Sequence, residues 1–171
     1  MAAGTTYEPI ASQTLASSSS TVTFSNIPQT YTDLVLVATT VPYNNSEGNI
    51  SIRFNSDTGG NYSNTWFVGD GSSVSSGNNT NATSAGIFYG NGLNNPIYPV
   101  STINIFNYSN SNKYKTVLNR NNSAYSGNRW SALICSSWRS NSAITSITIS
   151  VTYIYNIGVG STFTLYGIKA A

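Results

Sequence analysis

The segment ITISVTYIY, residues 147–155, shows the pattern that decides the fold. Apolar or aromatic residues occupy every second position, from Ile147 to Tyr155, and threonine or serine lies between them up to position 152. Such alternation predicts a β-strand with one buried face, because successive side chains of a strand point to opposite sides. The same period recurs in NISIRF (49–54), STINIF (101–106) and STFTLYGI (161–168). No segment shows the 3.6-residue period of an amphipathic helix, so we expect an all-β protein.

About nine or ten short strands separated by turn-rich segments are expected. The run DLVLVATT, residues 33–40, is apolar on both faces and predicts a strand in the middle of a sheet. This arrangement indicates a single antiparallel β-sandwich domain over residues 1–171, with a jelly roll as the preferred topology. Residues 1–16 are predicted to be an N-terminal arm or edge strand. The low-complexity polar stretch 69–86 is predicted to be a long loop.

Charge is scarce along the whole chain. Charged residues make up 7% of it and the formal net charge is +2, whereas soluble domains contain about 25% charged residues. Long-range electrostatic attraction of partners is therefore expected to be weak. Lys113, Lys115 and Arg120 come closest to a basic cluster, and they are too few to follow a phosphate backbone. We expect no nucleic-acid partner and interpret these cations as a solvated strand face.

The chain contains no histidine. This removes the commonest general base, the commonest transition-metal ligand and the usual serine and cysteine triads. The acidic residues are Glu8, Asp33, Glu47, Asp57 and Asp70, and their spacing does not demand the facing pair that a glycosidase needs. The prediction is a protein that is not an enzyme and binds no cofactor.

Cys135 is the only cysteine, so no disulfide can form within the chain. Its apolar surroundings, SALICSSW (131–138), predict a buried and unreactive thiol. No apolar run is long enough to span a bilayer. The start, MAAGTTYEPI, has neither the basic nor the apolar region of a signal peptide. We therefore expect neither membrane association nor a secretion signal.

The most site-like stretch is RFNSDTGGNYSNTWFVGDG, residues 53–71. Asn55, Asp57 and Asn61 offer oxygen atoms at near-alternate positions, which makes them candidates for weak calcium binding. They lack the second carboxylate and the terminal bidentate glutamate of the standard calcium loop. Aspartate and glycine at these positions are also typical of tight turns, and turns are the favoured interpretation.

Aromatic side chains beside amides and hydroxyls can bind sugars or proteins. Trp130 and Trp138 share one face of a predicted strand with apolar neighbours, so core packing is favoured for both. For Tyr62 and Trp66 the sequence does not decide between the core and a loop; binding of a sugar predicts that Tyr62, Trp66 and Tyr125 are displayed in loops. They are the candidate aromatics for a ligand site or an interface.

Several segments taken together resemble a known group of proteins. They are STVTFSNIPQTYTDLVLV (20–37), IRFNSDTGGNYSNTWFVGDGS (52–72), FNYSNSNKYKT (106–116), SSWRSNSAITSITI (136–149) and STFTLYGI (161–168). Their order and spacing are similar to those of small β-sandwich proteins encoded among the virion-structure genes of tailed bacteriophages, especially phages of cyanobacteria and marine bacteria. The resemblance covers most of the chain.

This resemblance implies a structural protein of the virion, made in the host cytoplasm. The leading hypothesis is a capsid decoration (cement) protein that binds the major capsid protein and assembles as a homotrimer. Residues 1–16 and 69–86 are the candidate contacts with the shell or with sister subunits. A second hypothesis is a tail or head-fibre domain that binds host surface polysaccharide. A third is a free carbohydrate-binding module of an enzyme.

Overall fold

A computed structural model describes residues 6–41, 43, 48–90, 99–125, 128–151 and 156–169. Its strands are β1 (Tyr7–Thr14), β2 (Thr21–Phe24), β3 (Asp33–Thr39), β4 (Gly48–Phe54), β5 (Tyr62–Gly69), β6 (Val74–Ala82), β7 (Ala85–Gly90), β8 (Val100–Phe106), β9 (Lys115–Tyr125), β10 (Asn128–Trp138), β11 (Ile147–Val151) and β12 (Thr162–Ile168). These ranges contain no helix, which confirms the all-β prediction. Accordingly, no helix within them is long and apolar enough to cross a membrane.

The strands form two antiparallel sheets packed as a sandwich. The large sheet has eight strands in the order β1-β12-β3-β8-β9-β10-β5-β6, and the small sheet has four in the order β2-β11-β4-β7. The strand expected in the middle of a sheet is β3, which lies between β12 and β8. Its Val35 faces away from the small sheet and is nevertheless 4% exposed. The β-sandwich prediction is confirmed, whereas the jelly-roll topology and the single domain stay predictions.

One hydrophobic cluster fills the space between the sheets, and the alternating segments supply it. The large sheet contributes Leu34, Leu36, Ile103, Ile105, Phe163 and Leu165, and the small sheet contributes Val22, Ile52, Phe54, Ile147 and Ile149. Burying each such side chain stabilises the fold by about 1.5–3 kcal/mol. Trp138 belongs to the same cluster, as predicted, and Trp130 is half-buried on the same side of β10.

The long loop predicted over residues 69–86 is wrong. This stretch contains a tight turn, the edge strand β6 and the start of β7. In the turn, the Asp70 carboxylate accepts the N–H groups of Ser72 at 2.8 Å and Ser73 at 2.7 Å, and Gly71 adopts φ 91°. Both sides of β6 are largely exposed, so its sequence lacks the apolar alternation that reveals a half-buried strand. The expectation of nine or ten strands missed β6 for this reason, and it missed β5 because the polar Asn64 occupies one of the buried positions of that strand.

Gly77 lets the edge strand approach an indole ring. Gly77 lies opposite Trp66 of β5. A Cβ atom at position 77 would lie 2.5 Å from Trp66 Cζ2 and 2.7 Å from Cε2. The indole therefore occupies the space that a side chain at position 77 would need. Trp66 is half-buried on the inward side of β5 and is not displayed in a loop, contrary to prediction.

Part of the inner face of the large sheet is polar, where β8, β9 and β10 run side by side. Asn119 and Asn121 are buried, and Asn121 donates to Ser101 Oγ at 2.8 Å. Asn119 lies between Ile103 and Ile134 in the strand register. In the part of the chain that the structure describes, neither polar atom of its amide has a hydrogen-bond partner. Burying an unpaired polar group costs about 1–3 kcal/mol.

The close contact at Gly77 predicts that Gly77→Ala destabilises the protein by about 1–3 kcal/mol, the usual cost of overpacking. Gly69→Ala is the control, because the nearest atom to a Cβ there is Ser73 O at 4.0 Å. Urea unfolding followed by tryptophan fluorescence measures both. Equal midpoints for the two variants would show that the indole moves away without cost.

The unpaired amide predicts that Asn119→Leu raises stability by about 1 kcal/mol, because a side chain of similar volume replaces an unsatisfied polar group. Asn121→Leu should be less stable than Asn119→Leu, since it removes one unpaired amide oxygen but leaves the Ser101 hydroxyl without its amide donor. Thermal unfolding of the two variants tests this difference. A loss of stability in both would contradict the assignment of Asn119 as unpaired.

Candidate functional site

Asn55 stands at the turn that follows β4, with a positive φ of 51°. Its Nδ2 donates to the carbonyl oxygen of Ala143 at 2.8 Å. Its Oδ1 accepts the N–H groups of Thr145 at 2.9 Å and Ser146 at 3.1 Å. The amide therefore ties the end of β4 to the segment that leads into β11.

Asp57, two residues later, accepts hydrogen bonds from three directions. Its Oδ1 takes the N–H of Gly59 at 2.8 Å, and its Oδ2 takes Asn61 Nδ2 at 2.9 Å and Trp138 Nε1 at 2.7 Å. Burial raises the pKa of this carboxyl, but the bonds from Trp138, Asn61 and Gly59 together outweigh burial and leave the pKa below its ordinary value. The charged form of Asp57 thus stabilises the contact between this turn and β10.

These contacts do not support the calcium interpretation. Asn55 Oδ1 is taken up by two backbone N–H groups, and Asn61 presents its NH₂ group, not its oxygen, to both carboxylate oxygens of Asp57. The three side chains therefore do not form an oxygen cage, and turn chemistry accounts for their contacts. Within the described ranges, no three His, Cys, Asp or Glu residues come together as metal ligands.

Arg139 completes this corner of the molecule from the end of β10. Its Nη2 donates to the carbonyl oxygen of Gly60 at 2.5 Å and to Asn81 Oδ1 at 2.9 Å, and its Nη1 donates to Ser63 Oγ. One guanidinium thus joins the turn before β5, the start of β5 and the end of β6. Sequence reasoning missed Arg139, because its partners lie far away in the sequence and become neighbours only when β10 pairs with β5.

The candidate aromatics are not displayed together. Tyr62 is fully buried, accepts the Phe54 N–H at 3.0 Å and stacks on Trp138 with ring centroids 6.3 Å apart. Burial raises the pKa of Tyr62 to about 12. Its predicted role as a loop aromatic that binds sugar is therefore wrong, and Trp66 faces inward too. Tyr125 ends β9, and its side chain lies outside the described part of the structure.

Lys115 is the most buried charged group among the described side chains. It points inward at the start of β9, where its Nζ donates to the carbonyl oxygens of Asn110 at 2.6 Å and Lys113 at 2.7 Å. It also lies 6.0 Å from the centre of the Trp138 ring. Burial lowers the pKa of this ammonium group. Lys115 thus does not share a solvated face with Lys113 and Arg120, contrary to prediction.

The outward side of the large sheet carries exposed apolar residues. Among the described side chains, eight large hydrophobic ones are exposed, and four of them cluster here: Phe67 (49%), Val74 (84%), Val100 (46%) and Leu133 (38%). We call these four residues the outer-face patch. Cys135 is two residues beyond Leu133 on the same side of β10 and is exposed. The prediction of a buried thiol is wrong, because Cys135 and Trp138 are three residues apart and therefore point to opposite sides of β10.

The strand register sets the shape of this surface. Phe67 lies opposite Leu133, and Leu133 lies opposite Arg120. These three side chains line a groove of about 370 Å³. Arg120 is the one charged residue among the described side chains that line it, and its Nη2 donates to Asn104 Oδ1 at 3.3 Å. The groove thus combines an exposed aromatic ring, an aliphatic chain and a guanidinium.

A second groove of about 840 Å³ lies beside the first. Five residues on neighbouring strands lie side by side along this groove. From β6 to β8 they are Val74, Gly69, Ser131, Asn122 and Val100, each opposite the next. The small residues Gly69 and Ser131 leave space between the two valines. Ser131 Oγ donates to Asn122 Oδ1 at 2.9 Å, so one polar pair sits on the floor of an apolar groove. Apolar surface that is clustered and exposed in this way marks an interaction site.

No protein-family model matches this chain, and no curated protein or solved structure matches it either. The resemblance to phage virion proteins therefore stays a prediction.

The hydrogen bonds of Asp57 predict how stability depends on pH. Because its folded pKa is lowered from the ordinary value of 3.8, its contribution is fully present above that value and is lost as pH falls through the folded pKa. Asp57→Asn should reduce stability by about 1–2 kcal/mol at pH 7, since bonds to a charged acceptor are stronger. It should also lose less stability than the parent between pH 5 and pH 2, measured by urea unfolding. Parallel pH curves would contradict this role.

Proposed function

We propose that this chain is a non-enzymatic structural protein of a bacteriophage virion, a capsid decoration protein that binds the outside of the head shell. The outer-face patch is the observation that carries the proposal. It offers a protein partner both apolar area and two grooves, at a place where none of the described residues covers the sheet. The major capsid protein is the proposed partner, and the virion is the proposed location.

The chemistry of the patch suits a protein partner. Its members are aliphatic and aromatic, and the described residues around its two grooves include a single charge, that of Arg120. Interface centres are poor in charged residues and rich in aromatic ones. Phe67 and Leu133 stand opposite each other and are each more than one-third exposed, so a partner could bury both at once.

The composition supports repeated attachment to a shell. With 7% charged residues and a formal net charge of +2, neighbouring copies repel each other weakly. Many copies bound side by side gain avidity from multivalency, even if each single contact is weak. The resemblance of segments such as 52–72 and 136–149 to phage virion proteins supports the virion as the place where this chain acts.

A second candidate is a tail or head-fibre domain that binds host surface polysaccharide. The observation that favours it is the exposed ring of Phe67 beside the polar groups of Arg120, Asn122 and Ser131. An aromatic face next to amides and hydroxyls is the usual platform for a sugar ring. In this candidate Phe67 is the exposed sugar-binding aromatic, a role that was predicted for Tyr62 and Trp66.

The test is binding of the recombinant protein to purified heads that lack it, measured by co-sedimentation. The double variant Phe67→Ser, Leu133→Ser should bind at least about tenfold more weakly, because two apolar side chains no longer become buried. Val159→Ser is the control, since Val159 is 56% exposed in the turn before β12 and lines neither groove. Equal binding of both variants would contradict the role of the patch.

Immunogold electron microscopy of virions separates the two candidates. Label spread over the head supports decoration. Label confined to the tail contradicts decoration and supports adhesion, and a polysaccharide-binding assay of the same variants then tests Phe67. Particles without label would contradict both candidates.

A further inference from the structure

The large sheet ends in an edge strand whose first six residues, Val74–Asn79, contain no charged residue, no proline and no register shift. β6 pairs with β5 on one side, and no strand of the described residues pairs with its other side. Proteins normally protect such edges with charged residues, prolines or bulges, because unpaired N–H and C=O groups can pair with another strand. β1, at the opposite edge, contains Glu8 and Pro9 and a register shift between Pro9 and Ala11. β6, with the sequence VSSGNNTNA, contains neither a charged residue nor a proline.

The pairing pattern identifies the free backbone groups of β6. The turn before it closes with the Asp70 N–H donating to the Ser73 carbonyl oxygen at 3.2 Å, so residues 70 and 73 form a hydrogen-bonded pair. Such pairs alternate with non-bonded pairs along antiparallel strands. The register is regular from Gly69↔Val74 to Asn64↔Asn79. Residues 75, 77 and 79 therefore bond to β5, whereas residues 74, 76 and 78 point their N–H and C=O groups outward.

The regular edge has a defined end. A register shift lies between the pairs of Asn64 and Tyr62, and Asn81 adopts a positive φ of 57°. Arg139 also holds the Asn81 side chain at 2.9 Å. The free edge is thus Val74–Asn79, with Ser76 at the centre of its three outward-pointing residues.

We infer that two copies of this chain pair antiparallel through β6, about a two-fold axis at Ser76. Each Ser76 then lies opposite Ser76 of the second copy, and each Val74 lies opposite Asn78 of the second copy. All three free residues of each edge are paired, which gives about six backbone hydrogen bonds at two per bonded pair. An axis at Ser75 or Gly77 leaves free groups unpaired, so Ser76 gives the fullest pairing.

The lack of charged residues in and around β6 favours a second copy of this chain as the partner of its free edge. In a two-fold interface each surface meets its own copy, so any charged residue near the axis meets a like charge. The chain has no charged residue between Asp70 and Lys113. β6 therefore meets itself without repulsion. Ser76 also lies directly opposite Phe67, so the pairing joins the two outer-face patches on one continuous sheet face.

Disulfide trapping tests the position of the axis, in a Cys135→Ser background that removes the exposed thiol. Cα atoms at position 76 should lie about 5.5 Å apart across the axis, within the range of about 4.4–6.8 Å that a disulfide needs. Positions 78 should lie about 14 Å apart, since they are four residues out of register. Ser76→Cys should therefore cross-link at least tenfold more than Asn78→Cys, which lies on the same side of the strand. Equal or absent cross-linking would overturn the inference.

Sedimentation velocity of the full chain tests the pairing without cysteines. The parent should be a dimer. Ser76→Lys should raise the dissociation constant at least tenfold, with partial recovery at high salt, because two introduced ammonium groups face each other. Thr23→Lys, on the exposed side of β2, is the charge-matched control and should stay dimeric. A monomeric or trimeric parent, or a dimer that Ser76→Lys leaves intact, would overturn the inference. The inferred dimer takes the place of the homotrimer that the phage resemblance implies. Because it concerns the isolated protein, the inference does not rest on the proposed function.

Discussion

The hydrogen bond from Trp138 to the Asp57 carboxylate, 2.7 Å long, holds together the place where the chain crosses from the small sheet to the large one. β4 belongs to the small sheet and β5 to the large sheet, and the turn between them contains Asp57. The same tryptophan packs on Phe54 and stacks on Tyr62, which flank that turn. Loss of the carboxylate would free the turn and leave a buried indole N–H without its acceptor. Asp57 and the polar residues around it, which resemble a binding site in the sequence, therefore stabilise the turn by which the chain passes from one sheet to the other.

The unequal widths of the two sheets explain the other unusual features. The large sheet has twice as many strands as the small one, and β7 at the edge of the small sheet packs against β5, β9 and β10. The inner face there is not uniformly apolar, and buried amides such as Asn119 occupy it. On the outward side nothing in the described structure covers the sheet, so Phe67 and Leu133 remain exposed. A partner that covers this face would complete the layer that the chain does not provide.

The outer-face patch and the free edge of β6 lie next to each other. Phe67 on β5 stands opposite Ser76 on β6, so one surface holds both exposed apolar groups and unpaired backbone groups. Apolar area strengthens binding without fixing direction, whereas backbone pairing fixes the direction and register of the partner strand. Edge pairing between copies and face binding to a shell use different atoms, so both can occur in one assembly.

The fold class follows from the sequence, because alternation appears wherever one face of a strand is buried and the other is solvated, as in residues 147–151 and 162–168. The placement of Trp138 in the core follows from the same alternation, because Trp138 lies on the same side of its strand as Ala132 and Ile134. Tertiary structure decided the rest. Both faces of β6 are largely exposed, so no alternation marks it as a strand, and Cys135 is exposed because no described residue covers the outward face of β10 there. Lys115 is buried because β9 and β10 bring it beside Trp138 and the Ser140 carbonyl oxygen, which are distant in the sequence, while Asn110 and Lys113 in the preceding loop accept its shorter bonds. Local periodicity shows which residues share a face, but the partners that cover a face, or leave it open, come from distant parts of the chain.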